Sequence, residues 1–385
     1  VHAHLAKTAA DNYSKVAPDA AHALHMPSHI YVALGKWDEV VASNIASWNA
    51  SIKRLERKNI DDKNGSYHAL NWLQYGLLQR GEFDLATDLL TKMEVYTAEN
   101  PGKKARGYLV AMKGGHLVET NDWTSDLAQI DIETDDLPIT SRTGYAFLEG
   151  MKFYHQKEAD SLKKVIANIQ KDRLQSKALV GEKGFAMCSA GGFVNKPPNQ
   201  LDMDMVEVME MELFAYLATL KGDFSMAKSW FEKAVALDEG LNYSFGPPTI
   251  LKPIHEAYGE WLLAQKQPEV ALVIFEKSLE RHPRRLLSLK GKKRAAELLK
   301  KDAIVKEVEK ELLPCLRRLN IRFYAYNPLA GGLLSGKYTT DLLDDNGAAK
   351  LVKNLPTDGR FGQKGTKKYY AQRYWKKDYL ESVLS

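Results

Sequence analysis

Cysteine is scarce in this 385-residue chain, which has only Cys188 and Cys315. Two cysteines cannot form a disulfide framework, and their scarcity favours a reducing, cytoplasmic compartment. The sequence also lacks any run of about 18 apolar residues, so we expect no membrane-spanning helix and no membrane partner. It begins at Val1 rather than Met, as expected of a fragment or a processed form in which a targeting signal would not be visible.

Excess charge is nearly absent from most of the chain. Residues 1–305 carry 39 Lys and Arg against 40 Asp and Glu, whereas residues 306–385 carry 15 against 9. The net charge of +5 therefore comes from the C-terminal part. This asymmetry indicates that two different sequences meet near residue 305.

Repeated helical units occupy the part before residue 305. Two units, at 212–234 and 258–283, share an A-x3-F pattern at Ala227 and Phe231 and again 44 residues later. Earlier glycine-x-aromatic turns begin at Gly35 and Gly81. We expect the aromatic side chain to plug each turn and the alanine to lie where two helices cross. This pattern resembles tetratricopeptide (TPR) repeats.

The resemblance implies an all-α fold, a TPR-like helical-repeat solenoid, followed by an incomplete α/β fragment. We predict TPR-like repeats with a histidine cluster in 1–100, degenerate helical pairs in 101–200, further TPR repeats in 201–304 and a different fragment in 305–385. A helical solenoid has a concave face that typically binds peptides or proteins. We therefore predict a scaffold for a protein or peptide partner and assign no catalytic residues.

Histidines are concentrated near the N-terminus, where His22, His25 and His29 have the spacing i, i+3, i+7. One continuous helix would place them on one face. Pro27 prefers the first turn of a helix, so we expect His22 and His25 to end one helix and His29 to begin the next. His68 on the following repeat is a fourth candidate.

Neutral imidazoles that converge on one point suit zinc or another borderline divalent metal. The alternative is that the histidines pack and hydrogen-bond across a helix turn, since no H-E-x-x-H or C-x-x-C pattern is present. The segment 21–30 resembles one common in uncharacterised bacterial TPR proteins, over about residues 2–301. That resemblance implies no established activity, so a metal-binding protein is one alternative function.

A basic run between residues 281 and 301 contains one acidic residue and nine basic ones: Arg281, Arg284, Arg285, Lys290, Lys292, Lys293, Arg294, Lys300 and Lys301. Basic helices can bind phosphates. No stacking aromatic is interleaved among these residues, which argues against a nucleic-acid partner. We predict a solvated face.

The tail contains the string FYAYNPLAGGLLSGKY at 323–338, followed by further landmarks at 359–361 and 370–375. Over about residues 308–379 it resembles aldo-keto reductases of the aflatoxin-aldehyde reductase branch. The resemblance implies a strand at 321–326 and a loop that contacts NADPH, with Arg360 near the anionic end of a substrate. The implied cofactor contacts are Asn327, Leu329, Gly331, Gly332, Leu333, Gly336 and Lys337. Glycines there would let backbone N–H groups approach a phosphate.

A (β/α)8 barrel takes about 250 residues, and the tail has about 80. The family's catalytic tyrosine, lysine, aspartate and histidine come from earlier strands, and no position here matches them. We therefore predict an inactive reductase remnant that needs no cofactor. The alternative is an NADPH-dependent reductase whose catalytic half is missing from this chain. Either two coding sequences have been joined near residue 305, or the fusion is genuine and the tail caps the solenoid.

Overall fold

The computed structural model describes residues 2–180, 197–242 and 246–318. These residues contain no strand, and the all-α prediction is confirmed for them. Their helices are α1 (Lys7–Val16), α2 (Ala21–His25), α3 (Pro27–Ala33), α4 (Trp37–Arg57), α5 (Tyr67–Gln79), α6 (Phe83–Glu99), α7 (Lys103–Thr120), α8 (Ile139–Gln156), α9 (Ala159–Lys177), α10 (Gln200–Leu220), α11 (Phe224–Glu239), α12 (Ile254–Ala264), α13 (Pro268–Arg281), α14 (Leu286–Leu298) and α15 (Asp302–Arg318). Short 3-10 helices lie at Ala3–Ala6, Asp62–Asn64 and Asp126–Gln129.

The helices form a layered array in which nearly every helix packs against the next one in the sequence. Alternate helices also touch, as in the series α8, α10, α12 and α14. The chain divides into two compact units, Val1–Cys315 and Leu316–Ser385. Helix α15 continues through residue 305, where the repeat pattern of the sequence fades. None of the helices in the described ranges is long and apolar enough to cross a membrane.

The predicted glycine-x-aromatic turns precede three helices. Each glycine has a positive φ, which glycine adopts without steric cost: Gly35 (61°), Gly81 (73°) and Gly222 (76°). The next helix begins two residues later, at Trp37, Phe83 and Phe224 respectively. Trp37 is buried, whereas Phe224 is 49% exposed. The prediction that an aromatic side chain plugs the turn is therefore wrong for Phe224.

The A-x3-F residues form part of the main apolar core. Ala227, Phe231, Ala271 and Phe275 are all completely buried. Phe275 lies against Gly291 of α14, where no side chain separates the ring from the helix backbone. A small residue thus allows the close helix approach that the repeat pattern predicts.

Gly291→Ala is expected to destabilise the protein by about 1–3 kcal/mol, because over-packing forces neighbouring side chains from their preferred rotamers. A Cβ at this position would lie 2.2 Å from the Phe275 ring. Gly115→Ala is the matched control, since its Cβ would make an ordinary 3.7 Å contact with Leu78. It should be neutral or gain up to about 1 kcal/mol from helix propensity. Urea unfolding measures both, and equal effects would contradict the packing argument.

Helices from opposite ends of the Val1–Cys315 unit also contact each other. The Trp37 indole donates a hydrogen bond to the Arg284 carbonyl at 2.9 Å. The Leu286 N–H donates to the side-chain oxygen of Gln79 at 2.9 Å. An open solenoid joins only neighbouring repeats. The array in this unit instead closes on itself, which the solenoid prediction did not include.

One member of the basic run holds this closure together. Arg285 is completely buried and lies 2.6 Å from Glu119 of α7 and 2.8 Å from Glu256 of α12. It also donates to the Tyr75 hydroxyl at 2.9 Å. The prediction of a solvated face is therefore wrong for Arg285. It fits Arg294, whose side chain is 62% exposed.

Residues 246–251, before α12, pack onto α5, α7 and α8. A Cβ at Gly246 would lie 2.7 Å from the Trp72 ring, so the backbone of this segment touches the indole. Leu251 fills the space beside Gly114 of α7 and Gly144 of α8. These residues thus support Trp72, whose indole contacts the rings of His25 and His29.

Candidate metal centre

Three helices each bring one histidine to a common point. Helix α2 ends at His25, and α3 begins with Pro27, so the helix break predicted from the proline is confirmed. His29 lies in the first turn of α3. His68 lies in the first turn of α5, which begins after Ser66 caps it by accepting the Ala69 N–H.

The ring nitrogens of these residues converge. The Nε2 atom of His25 lies 3.2 Å from Nε2 of His29 and 3.0 Å from Nε2 of His68. Ligand atoms from all three side chains lie within 4.8 Å of one another. His22 is exposed, and its ring centroid is 6.2 Å from that of His25. The structure therefore brings together His25, His29 and His68 and leaves His22 outside the group.

Asn44 of α4 sets the protonation of His25. Its amide nitrogen donates to the Ser28 hydroxyl at 2.9 Å and to the Val40 carbonyl at 2.8 Å. Its side-chain oxygen therefore faces Nδ1 of His25, at 2.8 Å. This network assigns the proton to Nδ1 and leaves the Nε2 lone pair directed at the cluster. Nothing in the sequence marks Asn44, which is 19 residues from His25.

Aromatic rings surround the cluster. The Trp72 indole meets His25 edge-on, with ring centroids 4.7 Å apart, and His29 with centroids 4.5 Å apart. The Tyr108 hydroxyl lies 3.2 Å from Nδ1 of His68. A hydroxyl there can accept a hydrogen bond from Nδ1–H, which leaves the lone pair of Nε2 of His68 available for a metal. Sequence reasoning missed both aromatic residues.

The imidazoles of His25 and His68 are held in the neutral form by their surroundings. Burial, with a smaller contribution from the neighbouring His68, lowers the pKa of His25 to about 3. Burial likewise lowers the pKa of His68 to about 4, with a contribution from His29. Metal ligation requires neutral imidazole, so these side chains need not lose a proton at pH 7 before they bind.

In the presence of a chelator, which keeps the protein free of metal, its free energy of unfolding is expected to fall as the pH decreases from 6.5 towards 4. In that range His25 and His68 bind protons in the unfolded state but remain neutral in the folded state. Proton binding therefore stabilises the unfolded state relative to the folded one. Each group contributes about 1.4 kcal/mol per pH unit at most. Urea unfolding in chelator at several pH values measures the slope. A His25→Gln/His68→Gln variant should show a shallower slope, and an unchanged slope would contradict the assignment.

A cavity of about 370 Å3, lined by none of the three clustered histidines, lies between other helices of the array. Its aromatic lining residues are Trp123, Tyr154, Tyr216 and Trp261. The Lys252 ammonium also lines it and lies 2.8 Å from the Glu260 carboxylate. The repeat pattern did not single out this cavity, because its lining residues come from five helices, α7, α8, α10, α12 and α14, and from the segments that connect them.

The predicted cofactor contacts lie outside the described residues. They are Asn327, Leu329, Gly331, Gly332, Leu333, Gly336 and Lys337, and the same holds for Arg360 and for the strand predicted at 321–326. These assignments stay predictions.

Comparison with known proteins relates one segment of the chain to reductases. No family model matches the chain. The chain is 45% identical over 82 residues to aldo-keto reductase family 7 member A3 of Homo sapiens. It is 44% identical over 82 residues to aflatoxin B1 aldehyde reductase member 2 of Mus musculus. Each match covers 21% of this chain, and 22% and 20% of the respective relative.

The chain thus spans about a fifth of the length of the curated relatives it matches. The predicted resemblance to aldo-keto reductases is confirmed for a segment of that length. One segment of this chain, about a fifth of its residues, is similar to aldo-keto reductases of the aflatoxin-aldehyde reductase type.

Proposed function

We propose that the helical unit binds a divalent transition metal of the zinc class through His25, His29 and His68. The observation that carries this proposal is the convergence of three Nε2 atoms, with two separations of 3.0 and 3.2 Å. Zinc–nitrogen bonds of about 2.0–2.1 Å in tetrahedral geometry separate neighbouring nitrogens by roughly 3.3–3.4 Å. Shifts of a few tenths of an ångström would bring the two His25 separations to this value, and the ligand atoms of His29 and His68, which lie within 4.8 Å of each other, would move to the same spacing.

The surroundings of the three imidazoles support the same chemistry. Metal-bound histidines usually donate their other ring N–H to a fixed acceptor, and Asn44 occupies that position beside His25. Three imidazoles suit zinc and similar borderline metals better than magnesium or calcium, which prefer oxygen ligands. Three protein ligands leave a fourth tetrahedral position open, and a bound metal would tie α2, α3 and α5 together.

A structural role without metal is the competing interpretation. Nε2 of His25 would then accept hydrogen bonds from the protonated Nε2 atoms of His29 and His68. The Tyr108 hydroxyl would donate to Nδ1 of His68. This arrangement satisfies the same polar atoms but gives the cluster no reason to bind an ion.

Metal content separates the two interpretations. Full-length protein dialysed without chelator should contain about one equivalent of metal by mass spectrometry. His68→Gln should lose the metal, and His22→Gln should keep it because His22 lies outside the ligand group. Metal-free wild-type protein that also fails to take up Zn²⁺ or Co²⁺ would reject the proposal.

Partner binding by a TPR-type scaffold is a second proposal. It is supported by the pairing of successive helices and by the buried A-x3-F residues. A cleft of about 160 Å3 between α5, α7, α8 and the segment before α12 is lined by Asn71 and by Gln74, whose amide nitrogen donates to the Ala86 carbonyl and whose amide oxygen remains as an acceptor. Such groups can hydrogen-bond a peptide backbone. Selection of a displayed peptide library on the full chain tests this, and peptides that bind Gln74→Ala equally well would argue against this cleft.

The reductase-like segment supports a third, narrower proposal, that the loop at 327–337 makes a weak contact with NADPH. We expect no tight, saturable NADPH binding by this chain, because no position matches the family's catalytic set. A fluorescence titration tests this expectation. Saturation that Lys337→Gln weakens would instead support a working cofactor loop.

A further inference from the structure

A cavity of about 470 Å3 borders the histidine cluster. His25 and His68 form part of its wall, while Trp72 and His29 do not line it. The remaining wall comes from α2 and the residues before it, from α4 and α7, and from the loop before α5. The space is many times the roughly 30 Å3 that one water molecule occupies. It is therefore large enough for a small organic molecule beside two of the proposed metal ligands.

Basic side chains dominate the charge of this cavity. Arg54 of α4 and Lys104 of α7 line it, against one acidic residue, Asp19. In the described ranges neither Arg54 nor Lys104 has a carboxylate within ion-pair distance, whereas the nearby Lys63 meets Asp61 and Glu99. Burial lowers the pKa of Lys104, and no anion offsets that loss of solvation. The cavity thus favours a negatively charged occupant.

Two hydroxyl groups of the wall, those of Ser47 and Ser51, are already used within the protein. Ser47 donates to the Ala21 carbonyl at 2.6 Å, and Ser51 donates to the Trp48 carbonyl at 2.7 Å. Their protons are therefore not available to a ligand. Arg54 and Lys104 are the charged donors of the wall, and charged donors favour carboxylate or phosphate oxygens over neutral acceptors.

We propose that this cavity binds a small organic anion, which gives one oxygen to the open coordination position of the metal and accepts hydrogen bonds from Lys104 and Arg54. The inference rests on the proposed metal site. His25 and His68 belong both to the ligand group and to the cavity wall, and the proposal places the open position on that side of the metal. Carboxylate and phosphate oxygens both ligate divalent transition metals. The common feature of the ligand is an oxyanion.

The test uses the full chain loaded with Co²⁺, whose visible absorption reports on ligands in the coordination sphere. Titration with acetate, succinate and inorganic phosphate should give a saturable spectral change with at least one of them. Lys104→Gln and Arg54→Gln should each weaken that Kd by about tenfold, the effect of losing one charge-assisted hydrogen bond. Arg57→Gln is the matched control, because Arg57 is exposed on the same helix and does not line the cavity.

The outcomes separate this inference from the proposed function. Stoichiometric Co²⁺ with no spectral response to any of the three anions would overturn the inference and leave the metal site standing. An equal loss of anion affinity in Arg57→Gln would overturn it too, since the effect would then be one of general charge. Failure to bind Co²⁺ would overturn both. Tighter binding of succinate than acetate identifies a dicarboxylate, and tightest binding of phosphate identifies a phosphate ester.

Discussion

Replacing Arg285 with methionine is expected to lower the free energy of unfolding by about 3–5 kcal/mol. The substitution keeps an unbranched stem but leaves Glu119 and Glu256 without the guanidinium that both contact. All three side chains are almost completely buried, so water cannot replace the lost partner. The cost comes mainly from uncompensated buried charge rather than from the loss of attraction between the ions.

The two carboxylates respond differently to the arginine. Burial raises the pKa of Glu119, and the charge of Arg285 only partly opposes this. Burial would also raise the pKa of Glu256, but Arg285 and Lys252 hold it below its usual value. Glu256 further accepts a hydrogen bond from Ser288 at 2.7 Å. Loss of Arg285 is therefore expected to affect Glu256 more, since that carboxylate is the more firmly ionised.

Equilibrium urea unfolding measures the effect, with Arg294→Met as the control. Arg294 is exposed and lies 3.5 Å from Glu297, so its replacement should change stability by less than about 1 kcal/mol. The double variant Arg285→Met/Glu256→Gln should be less damaged than the sum of its single changes, because it removes the orphaned charge. An Arg285→Met variant as stable as Arg294→Met would show that the buried ion pairs do not hold the array closed.

Zinc is expected to stabilise the protein by about 4 kcal/mol when its free concentration is 1,000 times Kd, since it binds the folded state. The three ligands come from positions 25, 29 and 68, which only the folded chain brings within 4.8 Å. A chelator should remove the whole effect. Mg²⁺ should give none, because it prefers oxygen ligands.

Urea unfolding with and without zinc measures this stabilisation in the wild type and in two variants. His68→Gln should lose it, because two imidazoles bind a metal far more weakly than three. Asn44→Ala should reduce metal affinity by about 10–100-fold through loss of the group that orients His25. Zinc stabilisation that is equal in wild type and His68→Gln would place the metal elsewhere.

Local patterns accounted for much of the helical unit. Pro27 predicted the helix break between His25 and His29, and glycine followed by an aromatic residue predicted helix starts such as Trp37. These features depend on the conformations of a few neighbouring residues, which the sequence lists directly. The same reasoning selected the three histidines that converge, and also His22, which lies outside the group.

Contacts between distant residues were beyond that reasoning. Asn44 and Trp72 surround the histidines because of how α4 and α5 pack, and no local pattern marks either residue. Arg285 belonged to a basic run that predicted exposure, yet it is buried because the closure of the array carries it to Glu119, 166 positions away in the chain. Burial of a charge depends on where its partners lie in space rather than on its neighbours in sequence.

The sequence by itself determined that the first part of the chain is helical, where its helices break, and that a segment of about a fifth of it resembles aldo-keto reductases. It did so because backbone preferences and a long run of matching residues are both properties of contiguous sequence. Tertiary structure alone decided that the helical array closes through Arg285, and that three imidazoles meet beside a basic cavity. Both arrangements depend on helix packing, which brings together residues that the sequence keeps far apart.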